Sequence, residues 1–369
     1  MIYLDHSATS PLLPEVKSAM IDAMNMELGN TSSLHSTGTR ARDLLESARK
    51  KVACLINADP SEIIFTSGGS ESNNTVMHIF AGQPIAVSAI EHPSVLEPAL
   101  EYASRLTKIP VDENGRIKTE LFPTESRLVS VMLANNELGT LEPIATDDKY
   151  KFHTDATQAL GKIPIDVKAL GVDYLTASAH KIGGPVGVGL LYVKKGAPFR
   201  PLILGGAQEH HRRAGTTPLV NILGFAAAAE YAEKHKTWEL YEKNIRPLKN
   251  ALAKRILKEI PHSSLNSPLE NSLPNILNVS FAAAEGESIQ LYLDTMGGIE
   301  VSTGSACASS DAKPSHVLMA TKNDVEVAHS SIRFSFGLDA KEDDIDKIMK
   351  ILPNIIKRLQ GISTIKIKE

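Results

Sequence analysis

Apolar residues recur every three or four positions through the first part of the chain. The stretch over residues 15–58 is rich in good helix formers, and its apolar positions share one helical face at Leu44, Leu45, Ala48, Val52, Leu55 and Ile56. The pattern therefore predicts a mainly helical N-terminal region. Cys54 belongs to this amphipathic pattern, and we expect it to be a buried, inert side chain.

Short apolar runs separated by longer stretches follow. The first run, over residues 63–66, leads into the polar segment 67–72 and then a further helix. Similar runs predict strands over residues 85–89, 128–133, 151–154, 174–177 and 188–193. Because helices or loops rather than tight hairpins separate most of these runs, the pattern predicts an α/β domain with a largely parallel sheet.

The order of elements changes after a long helix that begins near Trp238. The pattern then predicts a strand over 276–281, a helix over 288–296, a strand over 299–302, a helix over 315–320 and a strand over 331–336. A capping-box pattern over 339–342 is expected to start the closing helix. This region is therefore predicted to be a second, smaller α+β domain, with a boundary near residue 250.

The composition places the chain among ordinary globular proteins. Of its 369 residues, 42% are hydrophobic and 22% are charged, and the net charge of −4 gives no reason to expect nucleic-acid binding. No apolar run reaches the ~18 residues that a membrane span needs, and no signal peptide is visible. Two cysteines make no disulfide framework, so we expect a reducing, cytoplasmic setting.

The segment 67–72 can bind a phosphate group. Gly68, Gly69 and Ser70 connect an apolar run to a helix start, where backbone N–H groups and the positive end of the helix dipole favour an anion. A plain strand-to-helix turn fits the same residues, so this segment alone does not decide between a phosphate site and a turn. It is not a Walker loop, because no Gly-Lys-Ser/Thr follows.

Lys181 and Asp155 suggest what the phosphate could belong to. Lys181 follows a buried strand and precedes two glycines, whereas Asp155 ends another buried strand. A buried carboxylate is costly unless a cation or strong donors meet it. A lysine that can bond covalently to a carbonyl group and an aspartate that can hold a pyridinium nitrogen are the two protein groups that pyridoxal phosphate needs.

Four separated segments carry a resemblance to a known family. The segments 135–139, 154–158, 178–181 and 305–307 resemble the signatures of cysteine desulfurases, which are class V aminotransferase-like, fold-type I enzymes. The similarity runs from the Tyr3-Leu4-Asp5 segment to the strand around Arg333. It implies a homodimer in which each large domain, 13–250, has a seven-stranded, mostly parallel sheet. The small domain combines 1–12 with 251–369.

The resemblance assigns roles to individual residues of this chain. It implies that Lys181 bonds covalently to the cofactor and later moves a proton at the substrate α-carbon, and that His92 stacks on the ring and is catalytic with Lys181. It implies cofactor contacts from Asp155, Gln158, Asn136, Gly69, Ser70, Ser178 and His180, with Thr216 supplied by a neighbouring subunit. For the substrate carboxylate it implies Arg333, Asn136 and Asn30, since a planar guanidinium matches a carboxylate bidentately. The sequence departs from the family pattern at His211.

Cys307 decides which member of this broad class the chain resembles. It lies among small residues in a predicted loop, where a thiolate can form and act as a nucleophile. The resemblance implies that Cys307 takes the sulfur of L-cysteine as a persulfide, that L-alanine is released, and that the sulfur passes to an iron–sulfur scaffold protein or a tRNA-thiolation relay. No metal, membrane or direct nucleic-acid contact is expected.

Three other functions compete with this interpretation. A selenocysteine lyase or another class V pyridoxal-phosphate enzyme could use the same scaffold, since one fold hosts many chemistries. A non-catalytic interaction platform could retain the fold without the reaction. The twelve histidines suggest a metal hydrolase, but the sequence has no His-Glu-x-x-His pattern and His210-His211 has no evident third ligand.

Overall fold

The central sheet holds the large region of the protein together. The computed structural model describes residues 1–304 and 314–365. Within them the sheet comprises β2 (Ile63–Thr66), β3 (Pro84–Ser88), β4 (Arg105–Ile109), β5 (Leu128–Ser130), β6 (Lys151–Asp155), β7 (Tyr174–Ser178) and β8 (Gly189–Val193). The spatial order is β2-β8-β7-β6-β5-β3-β4; neighbours from β7 to β4 are parallel, and β8 is antiparallel to both its neighbours. The predicted α/β fold with a mostly parallel seven-stranded sheet is confirmed.

Helices cover the two faces of this sheet. They are α1 (Pro14–Met24), α2 (Ser36–Cys54), α3 (Gly69–Ile79), α4 (Pro93–Tyr102), α5 (Val167–Leu170), the irregular turn α6 (Gln208–His211) and α7 (Leu219–His235). Successive strand residues point to opposite faces, so Ile63 and Phe65 pack in one core with α2 and α7, whereas Ile64 packs in another with α3 and α4. Burial on both faces explains why the strands read as continuous apolar runs.

The C-terminal region has its own hydrophobic core. Its elements are α8 (Thr237–Leu240), a π-turn (Tyr241–Ile245), α9 (Arg246–Glu259), β9 (Ser263–Leu265), β10 (Ile276–Phe281), α10 (Gly286–Gly297), β11 (Ile299–Glu300), α11 (His316–Lys322), α12 (Val325–His329), β12 (Ser331–Ser335) and α13 (Glu342–Ile362). In the described chain, β12, β10 and β9 form an antiparallel sheet, and the N-terminal strand β1 (Ile2–Tyr3) pairs in parallel with β11.

This second core also contains residues from outside the predicted small domain. Ile2 and Leu4 pack in it as expected, but so do Tyr241, Ile245 and Leu248, which precede residue 250. We propose the same division into two domains, with the start of the second part moved to the π-turn at Tyr241. Among the described residues, no helix is long and apolar enough to cross a membrane.

Several local predictions were wrong. Cys54 is exposed at the last residue of α2, because its neighbours Val52, Ala53 and Leu55 occupy the core side of the helix. The closing helix begins at Glu342 and not at 339: the Lys341 backbone N–H donates to the Asp344 carboxylate at 2.9 Å. The predicted strands over 128–133 and 299–302 end at Ser130 and Glu300.

Candidate active site

One cavity of about 660 Å³ lies beside the carboxyl ends of β6 and β7. In a parallel sheet this edge is the usual place for a ligand, because side chains that follow neighbouring strands meet there. The predicted site residues that line it in the described chain are Gly69, Ser70, His92, Asn136, Asp155, Gln158, Ser178, His180, Lys181 and Arg333. The fold therefore brings most of the predicted set together around a single space.

Asp155 is the last residue of β6, and its carboxylate is held by hydrogen bonds. The side chain of Asn73, on α3, donates to one oxygen at 2.7 Å, and the backbone N–H of Thr157 donates to the other at 2.9 Å. Only 6% of Asp155 is exposed. The donors compensate part of the cost of burying this carboxylate, which lines the cavity.

Lys181 follows β7 and points its amine at the N-terminal segment. The amine donates to the backbone carbonyls of Ser7 and, at 2.6 Å, of Ala8. Ser10 fixes this segment in turn, because its backbone N–H donates to the His180 carbonyl at 2.9 Å. The amine is therefore held by chain segments that are distant in sequence.

The glycine-containing segment before α3 forms another side of the cavity. Gly68 has a φ of 155°, and among the described residues no side chain caps the N-terminus of this eleven-residue helix. Glu71, in the first turn, forms an ion pair with Arg213 at 2.9 Å. Burial acts to raise the pKa of Glu71, but the hydrogen bonds from Arg213 and Ser67 hold it below its usual value. The pairing offsets a negative charge that would oppose an anion at this helix end.

His92 lies across the cavity, immediately before α4. Its Nδ1 accepts a hydrogen bond from the backbone N–H of Ser94 at 3.1 Å, so a neutral ring carries its proton on Nε2. Burial lowers the pKa of His92, although the charge of Asp155 opposes this. The lowered pKa favours the uncharged form of the ring at neutral pH.

Arg333, on β12, also lines the cavity. Its Nη2 donates to Asp5 at 2.8 Å and its Nη1 donates to the Asn136 carbonyl at 3.1 Å, while Nε is buried without a hydrogen-bond partner in the described chain. A guanidinium with an unused donor in a cavity is suited to a carboxylate. Lys181 and Arg333 thus give the cavity an amine and a carboxylate-binding group.

Comparisons with known proteins identify the family of this chain. The model of the family "Aminotransferase class-V" matches residues 2–348. A cysteine desulfurase IscS from Dictyoglomus turgidum is 44% identical over 99% of this chain and 97% of its own length, and a cysteine desulfurase NifS from Azotobacter vinelandii is 40% identical over 98% and 94%. The chain belongs to the cysteine desulfurase family. The resemblance that the sequence motifs carried is therefore confirmed.

Solved structures extend this similarity from sequence to fold. A NifS-like protein from Rickettsia africae is 35% identical, with a TM-score of 0.88, and the match covers 97% of this chain and 99% of that one. A structure described as SspA in complex with cysteine is 30% identical, with a TM-score of 0.78 and coverage of 91% and 99%. The overall architecture of the cysteine desulfurase family is therefore present here.

The class V aminotransferase-like enzymes use pyridoxal phosphate, and the residues around the cavity fit this group. The side-chain oxygens of Gln158 and Thr157 are buried without hydrogen-bond partners in the described chain, so a bound molecule would satisfy them. Asp155 suits the pyridine nitrogen, and Ser70, Ser178 and His180 line the wall beside the helix end that suits a phosphate. When bound, the group supplies an electron sink at the substrate α-carbon.

Two predicted residues of this cysteine desulfurase lie elsewhere. Asn30 and Thr216 are exposed on loops outside the cavity, and these loops meet where the Thr31 hydroxyl donates to Thr217 at 3.2 Å. Cys307 lies outside the described residues. The cavity wall nevertheless includes Gly304 and Pro314, which flank the segment containing Cys307.

Sequence reasoning missed several polar residues at this site. Glu137 lines the cavity and accepts a hydrogen bond from Ser315; burial raises the pKa of Glu137 to about 7, against the effect of that hydrogen bond. Asp5 accepts a hydrogen bond from Arg333, and Asn73 donates one to Asp155. Lys162 donates to the backbone carbonyl of Lys181. Their only signal in the sequence is adjacency to a motif, since a pattern of polar residues does not distinguish buried from exposed ones.

Proposed function

We propose that this chain is a pyridoxal-phosphate-dependent cysteine desulfurase, which converts L-cysteine to L-alanine and leaves the sulfur as a persulfide on Cys307. The observation that carries the proposal is that Lys181, Asp155 and Arg333 line one cavity. We call the part formed by Lys181 and Asp155 the cofactor end and the part formed by Arg333 the substrate end, after their proposed roles. Together these groups suit an amino acid that is attached through its amine and held by its carboxylate.

Arg333 and Asn136 receive the substrate carboxylate. Arg333 is 4% exposed and is oriented by Asp5, so its guanidinium keeps one geometry at the cavity wall. Asn136 lies at the same end, where its carbonyl accepts from Arg333. Arg333 therefore selects α-amino acids over amines that lack a carboxylate.

Lys181 holds the cofactor and moves the α-proton. When it is not bonded to the cofactor, the Lys181 amine would be held by the Ser7 and Ala8 carbonyls, which accept from it in the structure. From that position it is suited to take the proton from the substrate α-carbon. Asp155 keeps the pyridine nitrogen protonated, and Gln158 and His92 position the ring.

Cys307 takes the sulfur. Its thiolate attacks the substrate sulfur, an S–S bond forms, and the Cβ–S bond breaks with its electron pair left on the carbon skeleton. A proton at that carbon completes L-alanine, and the persulfide retains the transferred sulfur. The reaction therefore needs no external oxidant or reductant.

The wider setting is also a proposal. The persulfide passes to an acceptor protein for iron–sulfur cluster assembly or tRNA thiolation. The enzyme works as a cytoplasmic homodimer in which Thr216 of one copy reaches the phosphate of the other. Support comes from the exposure of Thr216 outside its own cavity and from the names of the relatives.

The test is production of sulfide and alanine from L-cysteine with a thiol reductant. We expect a yellow, active wild type, a yellow but inactive Cys307→Ala variant, and a Lys181→Ala variant that has lost both the absorbance of the covalently held cofactor and activity. Cys54→Ala is the matched control, because Cys54 is exposed and is not among the described residues that line the cavity, and it should retain full activity.

Two outcomes would favour the other functions. Sulfide release by Cys307→Ala at the wild-type rate would point to a selenocysteine lyase or another class V enzyme. A colourless wild type that added cofactor does not restore would point to a non-catalytic platform.

A further inference from the structure

Lys162 is a buried lysine behind the cavity that the proposed reaction does not use. It lies in the turn after β6, and only 1% of it is exposed. Its amine donates to the backbone carbonyl of Gln158 at 3.1 Å and to that of Lys181 at 3.4 Å. The side chain therefore links the turn that presents Gln158 to the residue that holds the cofactor.

In the described chain the Lys162 amine donates hydrogen bonds to backbone carbonyl groups, and these compensate a buried positive charge only in part. The titratable groups that act on it or respond to it are Lys181, His6 and His180. Burial lowers the pKa of each histidine to about 4, so both are neutral near pH 7. The remaining cationic neighbour of Lys162 is Lys181.

We propose, on the basis of the proposed function, that Lys162 is a positioning residue that holds the Lys181 backbone and whose positive charge favours the neutral form of the Lys181 amine. Two nearby cations oppose each other's protonation, and the effect is mutual. An active-site lysine must be neutral to act as a nucleophile or a base, and a neighbouring cation is one way to achieve this.

The pKa of Lys162 agrees with such a coupling. Burial, followed by the charge of Lys181, lowers the pKa of Lys162 to about 7. The interaction that disfavours the charge on Lys162 acts equally on Lys181.

Lys249 provides a matched control in the same chain. It is also fully buried, its amine donates to the Ser272 hydroxyl at 3.0 Å and the Leu273 carbonyl at 2.9 Å, and burial is the main reason that its pKa falls to about 7. Lys249 does not line the cavity in the described chain. Lys162→Met and Lys249→Met therefore remove equivalent buried cations, of which only one adjoins Lys181.

The experiment measures the pH midpoint of the visible absorbance change in the cofactor-loaded protein, without substrate. We expect Lys162→Met to raise the midpoint by about 1 pH unit, because the opposing charge is gone, and Lys249→Met to leave it unchanged. Equal midpoints in wild type and Lys162→Met would overturn the proposal and leave Lys162 a structural residue. An equal rise in both variants would overturn it too.

A second measurement covers a Lys162→Met protein that does not fold. The apparent pKa of the Lys181 amine in cofactor-free wild type is obtained from its acetylation rate against pH, followed by mass spectrometry. We expect a pKa well below the ordinary ~10.4, and an ordinary value would overturn the proposal. Neither readout uses cysteine turnover. If only the desulfurase function were wrong, the wild type would release no sulfide from L-cysteine, but Lys162→Met would still shift the absorbance midpoint.

Discussion

The two ends of the active-site cavity are built in different ways. At the cofactor end, Asp155 and Ser178 terminate neighbouring parallel strands, and Lys181 follows in the next turn. At the substrate end, Arg333 is oriented by Asp5 from the start of the chain and by Asn136 from its middle. Strand pairing fixes the backbone at both ends, but at the second end the guanidinium is also oriented by an ion pair that joins distant segments.

This difference indicates how each end should respond to mutation. A side chain on a central strand keeps its place when its charge is removed, so the loss appears in the chemical step. A side chain held by an ion pair loses its orientation when the partner is changed, so the loss appears in substrate binding. The comparison can be tested by charge-removing substitutions at both ends.

The largest effect in this comparison is expected for Asp155→Asn. The amide keeps the shape but removes the negative charge that favours a protonated pyridine nitrogen, and we expect kcat to fall on the order of 10²- to 10³-fold with a smaller change in KM. Steady-state kinetics with L-cysteine would measure this. Asp173→Asn is the control: Asp173 is also buried and accepts from the Phe152 backbone at 2.9 Å, but it precedes β7 at the opposite edge of the sheet. An equal loss of kcat in both variants would contradict the prediction.

Arg333→Lys should mainly affect binding. A lysine keeps the charge but cannot form the planar, two-point contact with a carboxylate, and we expect KM for L-cysteine to rise by roughly 10- to 100-fold, about 1.5–3 kcal/mol. Arg49→Lys is the control, because Arg49 is another buried arginine, paired with Glu209 at 2.7 Å outside the cavity wall. It should lower thermal stability without changing KM. If Arg333→Lys left KM unchanged, Arg333 would not be the residue that binds the substrate carboxylate.

Asp5→Asn should give a smaller change of the same kind. The amide oxygen can still accept from Arg333, but the charge-assisted contact is lost, so we expect KM to rise by about three- to tenfold with kcat little changed. Combining Asp5→Asn with Arg333→Lys tests whether both act together. If Asp5 works only by orienting Arg333, the double variant should have about the same KM as Arg333→Lys alone.

The smallest effect is expected for Glu142, a buried acid that does not line the cavity in the described chain. Burial raises the pKa of Glu142 to about 8, although the hydrogen bond from the Ile117 backbone opposes this. Because the folded pKa lies above the ordinary value, the stability that protonated Glu142 contributes is present at low pH and is lost as pH rises towards 8. We expect Glu142→Gln to gain about 1–3 °C in Tm over wild type between pH 5.5 and pH 8.5, with unchanged kinetics. A constant difference across this range would mean that Glu142 is already ionised in the folded protein.

The sequence predicted the two ends of the cavity unequally. The central strands were predictable because burial on both faces produces apolar runs, and Asp155 and Lys181 are adjacent to two of them. The strand β4 was missed because Arg105 and Lys108 make it a polar edge strand, and β9 was missed because Ser263 and Ser264 give it no apolar pattern. Short, exposed pairing depends on a neighbouring strand that local periodicity does not reveal.

Partners that join distant segments were the harder part. Arg333 was expected to bind a carboxylate through the family resemblance, but its contact with Asp5 spans almost the whole chain. Lys162 resembles any surface lysine until the turn around it is known to be buried. Cys54 shows the opposite error, since a cysteine in an amphipathic pattern was expected inside and lies outside. Local pattern therefore identifies elements, while tertiary contacts decide the surroundings of single polar residues.

The pairing of β1 with β11 has a consequence for synthesis on the ribosome. Domains generally fold in N-terminal order as they emerge, so the sheet that holds Asp155 and Lys181 can form while the C-terminal region is still being translated. Ile2 and Leu4 must wait for partners that include Ile299 and Phe334, and Asp5 must wait for Arg333. We therefore expect a nascent chain to become able to bind its cofactor well before it can bind its substrate, so that incomplete chains cannot begin to release sulfur.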